Sequence, residues 1–437
     1  MERYFHWMFL CYVCMMSTLA QKIIANACSR NEVEPGEIVV CSVDLAMIHD
    51  SGGPRRVKPI LEKLNRKVWD NEKVIVVTDH YVPIESEETR AIQELTKKWV
   101  ITQDIQNFYD QQGICHVVVS EKGHLKPGMF CVGGDSHSPT GGAFGAYMFG
   151  IGATEMAGVL ATGEIWLKVP KTIYIKWKGK LNRLVTAKDM MLATCRQIGM
   201  GGGQYQAIQY IGDAIYDLSV QDRMTLSNMA AELGAQTGLI APDEKTISYI
   251  KSSGGVAPEN WKSFCLDRPA SNARVNEFDA SILSPQIAAP HSPENSENAD
   301  EFANTVFDVA YIGACTGAKY VDLAAAASIL KGRKIASGVT LKVAPASLKD
   351  EKQALDDGIL KILQDAGAEF LPNSCGICAG YGKDRLAEEQ VCLSSTARNF
   401  QGRMGAHTSQ VYLASPYTVA ASAVVGKMID PRELMVN

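Results

Sequence analysis

The sequence predicts an α/β fold of several units, and three observations carry that expectation. Short β-branched runs, EIVVCSVDLA (37–46), KVIVVTDH (73–80) and CHVVVS (115–120), read as buried strands and alternate with segments of helical period. Between the last two, ESEETRAIQELTKKWV sets Ile92, Leu95 and Trp99 at helical spacing. The chain has 437 residues, more than one core fills.

Taken in order, the pattern gives three α/β/α units. The first spans 16–168. The second, 169–282, holds the strand KTIYIKWKG and the helix RMTLSNMAAELGAQTG. Residues 283–301 (LSPQIAAPHSPENSENADE) are rich in Pro, Ser and Asn and read as a linker. The third unit, 302–437, places the strands FDVAYIGAC, VTLKVAP and AEFLPNSC between helices. Residues 1–15 stand apart as an extension. Their apolar run, Trp7 to Met16, is too short to span a bilayer. We read it as a start placed too far upstream, with the working protein beginning at Met16; a secretory signal or an organelle-targeting segment are the alternatives.

Composition narrows the function. A net charge of -5 without a basic block argues against nucleic-acid and membrane-surface partners. Twelve cysteines could suggest disulfides, but Cys41, Cys115 and Cys131 lie inside apolar runs. Buried thiols in a reducing, cytoplasmic compartment explain that placement better than secreted staples.

Chemistry gathers at strand ends. YIGACTG ends a strand with Cys315, and FLPNSCGICAGYG ends another with Cys375 and Cys378. Strand ends in α/β sheets open onto ligand crevices. Three thiolates there suit an iron–sulfur cluster or zinc, while a redox pair or free buried thiols explain the C-x-x-C equally well. Only eight histidines occur, yet four sit beside carboxylates or apolar runs: His49 before Asp50, His80 after Asp79, His116 after QGIC, and His137 near Asp135. A carboxylate fixes an imidazole's tautomer and raises its basicity, as proton transfer requires. In GGDSHSPTGGAFGAYMFGIGATE the glycines allow tight backbone near a ligand, but the spacing is not that of a dinucleotide loop, and no phosphate-binding P-loop occurs.

DSHSPTGGAFGAYMFGIGATEMAGVLATGE resembles the signature of the aconitase and isopropylmalate dehydratase superfamily. IGACTG and CGIC resemble its cysteine motifs, and SSTARNFQGRMG (394–405) its arginine-bearing substrate motif. TDHYVP, GICH and PHSPEN follow in the same order, so the likeness runs from about Leu19 to Arg432. Within the superfamily the nearest likeness is to isopropylmalate dehydratase large subunits and methylmalate-type dehydratases.

The resemblance implies three aconitase-type units around a central cleft, and a [4Fe-4S] cluster held by Cys315, Cys375 and Cys378, with the fourth iron open as a Lewis acid. It implies imidazole–carboxylate pairs from Asp79 with His80 and His116 with Asp135, and a place for Ser136 and His137 in the same site. It sets His49 on the substrate side and has Arg398 and Arg403 grip carboxylates. The swivel domain of full-length aconitases is expected on a separate small subunit. The implied reaction is dehydration and rehydration of a 2-hydroxy dicarboxylic acid, with 3-isopropylmalate first and a methylated malate or homoaconitate next. The alternative is a cluster-bearing binding or regulatory protein that has lost catalysis. Four departures from the family pattern stand out: Gln209 where a glutamate is expected to partner His137, Ala397 for asparagine, Thr-Gly-Ala-Lys after Cys315 with Gly317 for asparagine, and Gly141 for a larger residue.

Overall fold

A computed structural model describes residues 17–265, 269 and 273–435. The expected extension and the start at Met16 lie outside the described residues. Three large sheets organise the chain. The first has five parallel strands in the order Asn107–Asp110, Val74–Thr78, Leu45–His49, Phe130–Gly133, Tyr147–Gly150. The second has four parallel strands in the order Thr237–Ile240, Ala207–Ile211, Thr172–Lys178, Arg274–Asp279. The third has seven, in the order Ser296–Asn298, Gln286–Ala288, Gln410–Ala414, Val391–Ser394, Val309–Ile312, Thr340–Val343, Glu369–Phe370. Gln286–Ala288 runs antiparallel to both neighbours, and the five strands beyond it are parallel to one another.

Residues 283–301, expected as a linker, therefore carry two strands and a 3-10 turn, Ala299–Phe302. Their Pro- and Asn-rich composition suits a sheet edge as well as a connection. The run 37–46 also differs from expectation. It breaks at Val43–Asp44 into Ile38–Ser42, whose burial alternates, and Leu45–His49, which is buried throughout. The first piece pairs with Glu164–Lys168 in a separate ribbon. Asp44 makes the break by accepting the Phe130 N–H at 2.8 Å and donating its own to the Phe130 carbonyl.

A larger correction falls on CHVVVS. Cys115–Glu121 is a helix whose seven residues are all buried. Its valines favour a strand, but a segment apolar on every side has no period to choose by. Tertiary structure decides: the Asp79 carboxylate accepts the Cys115 N–H at 2.7 Å and anchors the first turn. The helix Glu87–Thr102 forms as its period predicts. Ser86 caps it through the Thr89 N–H, and Ile92 and Trp99 are buried on its inner face.

The third sheet ties the units together by strand alternation. Ala310 and Ile312 join a core with Met47, Ile75 and Val77 of the first sheet. Val309 and Tyr311 face the other way, into a core with Ile173, Ile175 and Ile208 of the second. Packing on both faces fixes where the carboxyl ends of the strands meet, and the chemistry-bearing residues lie at those ends.

Candidate active site

Strand Leu45–His49 ends at His49, and Asp79–His80 follow Val74–Thr78 in the neighbouring strand. The two imidazoles stack with centroids 4.2 Å apart. His80 Nδ1 lies 2.7 Å from Asp79 Oδ1, and Asp50 holds the turn by accepting N–H groups of Asp79, His80 and Tyr81. Burial pulls His80 downward, but Asp79 and then Asp50 overcome it and hold the imidazole at about 9. His49 moves the other way, lowered by burial and by the charge on His80. Its Nε2 faces the Gly134 carbonyl at 3.0 Å, and its Nδ1 accepts from the Gly52 N–H. Ligand atoms of His49, Asp50, Asp79 and His80 lie within 4.8 Å of one another, close enough to bind a cation. The carboxylates are committed instead to the imidazole and to five backbone N–H groups.

The next strand, Phe130–Gly133, ends in the DSH turn. His116 Nε2 lies 2.8 Å from Asp135 Oδ1, which also accepts the His137 N–H at 2.8 Å. Burial pushes Asp135 upward, but the bond and charge of His116, then the charges of His137 and His49, hold it well below the usual carboxylate range. Two glycines make room for the turn. A Cβ on Gly150 would meet the Asp135 carbonyl at 2.5 Å, and one on Gly142 would meet the Gly238 carbonyl at 1.8 Å.

His137 is partnered by Glu232, not by Gln209. Its Nε2 lies 3.1 Å from Glu232 Oε1, which also accepts from Arg398 Nε at 2.7 Å. Arg398 Nη1 donates to Ser136 Oγ at 2.8 Å, and no bond from Nη2 occurs among the described residues. Burial and then Arg398 bring His137 down to about 4, with Glu232 pulling against them. Gln209 lies inside the second sheet, fully buried, with both amide atoms unpartnered among the described residues.

The cysteines form the opposite wall. Cys315 follows strand Val309–Ile312, and Cys375 and Cys378 follow Glu369–Phe370 two strands along. The Cys375 N–H donates to the Asp79 carbonyl at 2.8 Å, which joins this wall to the histidine wall. Asn228 Nδ2 donates to Cys315 Sγ at 3.1 Å. Burial, then the neighbouring Cys378, raises Cys315 to about 12. Burial, with Asp79, Cys378 and Cys315 adding to it, raises Cys375 well above the ordinary thiol. Arg403 lies against Cys378, and its Nε is buried without a partner among the described residues. Thiolates this crowded stay ionised only around a polyvalent cation. Three sulfurs with an arginine beside them and an orphaned donor fit an iron–sulfur cluster.

The other departures are filled locally. A Cβ on Gly141 would meet Met148 at 2.8 Å, and one on Gly317 would meet Ser395 Oγ at 2.2 Å. Ala397 is buried in the apolar core with Ile377 and Met404. None of the three leaves a gap at the site. Sequence reasoning missed Glu232 and Asn228. They stand four apart at the end of Val220–Met229 and the turn after it, so they share a face. Two polar residues on one stripe of a buried helix were the available signal.

The sequence profile of the aconitase family (aconitate hydratase) matches residues 21–426. A 3-isopropylmalate dehydratase large subunit of Methanopyrus kandleri is 43% identical over 96% of this chain and 99% of its own length. A sequence of Methanosarcina mazei, described as a probable methanogen homoaconitase large subunit, is 41% identical over 91% of this chain and 100% of its own. The crystal structure of aconitase X from Thermococcus kodakaraensis, at 13% identity, shares the fold with a TM-score of 0.50 over 82% of this chain and 84% of that one. With the family pattern spanning nearly all of it, the chain belongs to the aconitase family.

Proposed function

We propose that this protein is the cluster-bearing large subunit of a hydro-lyase that dehydrates and rehydrates 3-isopropylmalate in leucine biosynthesis. The observation that carries the reading is the cleft itself. Two imidazole–carboxylate pairs, and Arg398 with an Nη2 that makes no bond among the described residues, stand on walls joined by the Cys375 N–H to the loop of Cys315, Cys375 and Cys378. A [4Fe-4S] cluster held by those cysteines supplies a Lewis acid that weakens the substrate's C–O bond.

The chain's own residues do the rest. Asp79 engages His80 Nδ1 and keeps the imidazole charged, so Nε2–H is a donor for a departing hydroxyl. Asp135 orients His116 and, through its N–H, the backbone of His137. Arg398, fixed through Nε and Nη1, presents Nη2 to a substrate carboxylate, and Arg403, beside Cys378, is the second cation for such a group. His49 and Ser136 line the same walls.

A dicarboxylic acid fits these cations, and relatives named for 3-isopropylmalate favour that substrate. The homoaconitase relative supports a second reading, a longer diacid. A small subunit carrying the swivel domain would close the cleft. No described helix is long and apolar enough to cross a membrane. The test is to co-purify the chain with a small subunit under anaerobic conditions and screen hydroxy-diacids by the ultraviolet absorbance of the unsaturated product. Turnover of 3-isopropylmalate above the others supports the reading. A complex that carries iron yet turns over no hydroxy-diacid would favour the binding-protein alternative.

A further inference from the structure

Lys188 stands in the first turn of helix Ala187–Ile198, and its side chain is entirely buried. Its Nζ donates to the Thr396 carbonyl at 2.7 Å and to Thr316 Oγ1 at 3.0 Å, with Met229 Sδ at 3.7 Å. All three acceptors are neutral. Among the described residues no carboxylate comes within ion-pair distance of it. A buried ammonium without a counter-charge is unfavourable, and the usual escape is a partner of opposite sign.

The charged groups near it are Lys319, which opposes its charge, and Asp322, Cys315 and Cys378, which favour it. Asp322 is already taken: its Oδ2 lies 2.8 Å from Lys319 Nζ. Lys319 Nζ in turn lies 3.0 Å from the Cys315 carbonyl. Lys188 itself is left without a carboxylate partner beneath the cysteine loop, because Asp322, and further off Asp222 and Asp350, act on Lys319. The other groups that favour its charge are the sulfurs of Cys315 and Cys378.

We propose that Lys188 is a positioning residue that acts as the buried counter-ion of the cysteine-held cluster and guards it against oxidation. The inference rests on the cluster reading above. A doubly positive cubane core held by three thiolates is a net anion. A fixed ammonium behind the Cys315–Thr316 turn stabilises that anion, and stabilises the reduced state most. Removing the charge favours the oxidised states, from which such clusters shed iron.

The test uses the full chain, reconstituted with iron and sulfide without oxygen. Lys188→Met keeps the length and removes the charge; Asp322→Asn keeps the shape and adds one net positive charge. In Lys188→Met the reduced-to-oxidised ratio at fixed potential, read by electron paramagnetic resonance, should fall at least tenfold, about 59 mV for a one-electron couple. Its colour should bleach several-fold faster in air. Asp322→Asn should shift the ratio the opposite way. The metal-free Lys188→Met chain should melt no lower than wild type, because a buried unpaired charge is gone. A metal-free variant that melts well below wild type, or loaded variants with unchanged ratio and bleaching, would make Lys188 a strut of the fold and overturn the proposal. If Lys188→Met holds no cluster, the sign of the Asp322→Asn shift decides. Wild type that takes up no iron overturns the cluster reading itself, an outcome separate from the others.

Discussion

Replacing Glu232 by glutamine should slow the enzyme without unfolding it. Glu232 is buried, and one of its oxygens serves both His137 Nε2 at 3.1 Å and Arg398 Nε at 2.7 Å. Each is a charge-assisted hydrogen bond, worth about 1.5–3 kcal/mol. Glutamine retains one acceptor oxygen and loses the charge, so the loss is roughly one such bond. That corresponds to a decrease of about 10- to 150-fold in kcat/KM. Because Arg398 is fixed between Glu232 and Ser136, part of the loss should appear in KM as the guanidinium loosens. Glu232→Ala leaves both partners unanswered and should also cost about 3 kcal/mol of stability. The assay is the initial rate of the reconstituted two-subunit complex, with urea unfolding of the large subunit alongside. A Glu232→Gln enzyme within twofold of wild type in kcat/KM would refute the argument that this carboxylate organises the cleft.

Other substitutions test neighbouring claims. Gln209→Met removes two buried, unpartnered amide atoms and should stabilise the chain by about 1 kcal/mol in urea unfolding, whereas Gln209→Glu should destabilise it and leave the pH–rate profile unchanged. Burial, opposed by the bond from Ser347, raises Glu121 from 4.5 to about 7. The folded state thus prefers the protonated acid: the penalty is absent below the unfolded value, grows as pH rises, and is complete above the folded one. Glu121→Gln should melt higher than wild type at pH near 8, by at most about 3 kcal/mol, and the two should converge in acid. Cys315→Ser should leave the fold intact and abolish stoichiometric iron binding, read by iron content and visible absorbance; full iron retention would remove Cys315 from the ligand set.

What the sequence disclosed and what it hid follow one physical rule. His49, Asp79, His80, Asp135 and Cys315 were legible because each ends or closely follows an apolar strand, and in a parallel sheet that position points at the crevice; Cys375 and Cys378 were legible from their C-x-x-C spacing. Helix Cys115–Glu121 was not legible as a helix, because its valines favour a strand and its anchor, Asp79, is distant in sequence. Glu232 was hidden for the same reason. It lies 95 residues from His137 and 166 from Arg398, and the pairing exists only once three sheets are packed. Gln209 shows the converse error. A polar residue in a strand was given a chemical partner on family expectation, while the strand's own register places it inside the second sheet.

That dependence on packing explains why the site is built between sheets. One wall needs carboxylates that hold imidazoles; the other needs thiolates beside cations. Placed on a single strand end, Asp79 and Cys375 would each raise the other's cost of ionisation, as their mutual effect on Cys375 already shows. Setting them on two sheets lets each wall carry its own compensating groups: His80 for Asp79, Arg403 for Cys378, Lys188 and Lys319 for the Cys315 turn. The walls then meet through neutral backbone, the Cys375 N–H on the Asp79 carbonyl. Glu232 is the exception that completes the design. It comes from neither wall but from the turn after Val220–Met229, and its single oxygen binds an imidazole of the first sheet and a guanidinium of the third. One buried charge thereby fixes the distance between the proton-handling wall and the carboxylate-gripping loop. A shift of that turn would misplace both together, and this is the physical reason to expect the loss in Glu232→Gln to divide between kcat and KM.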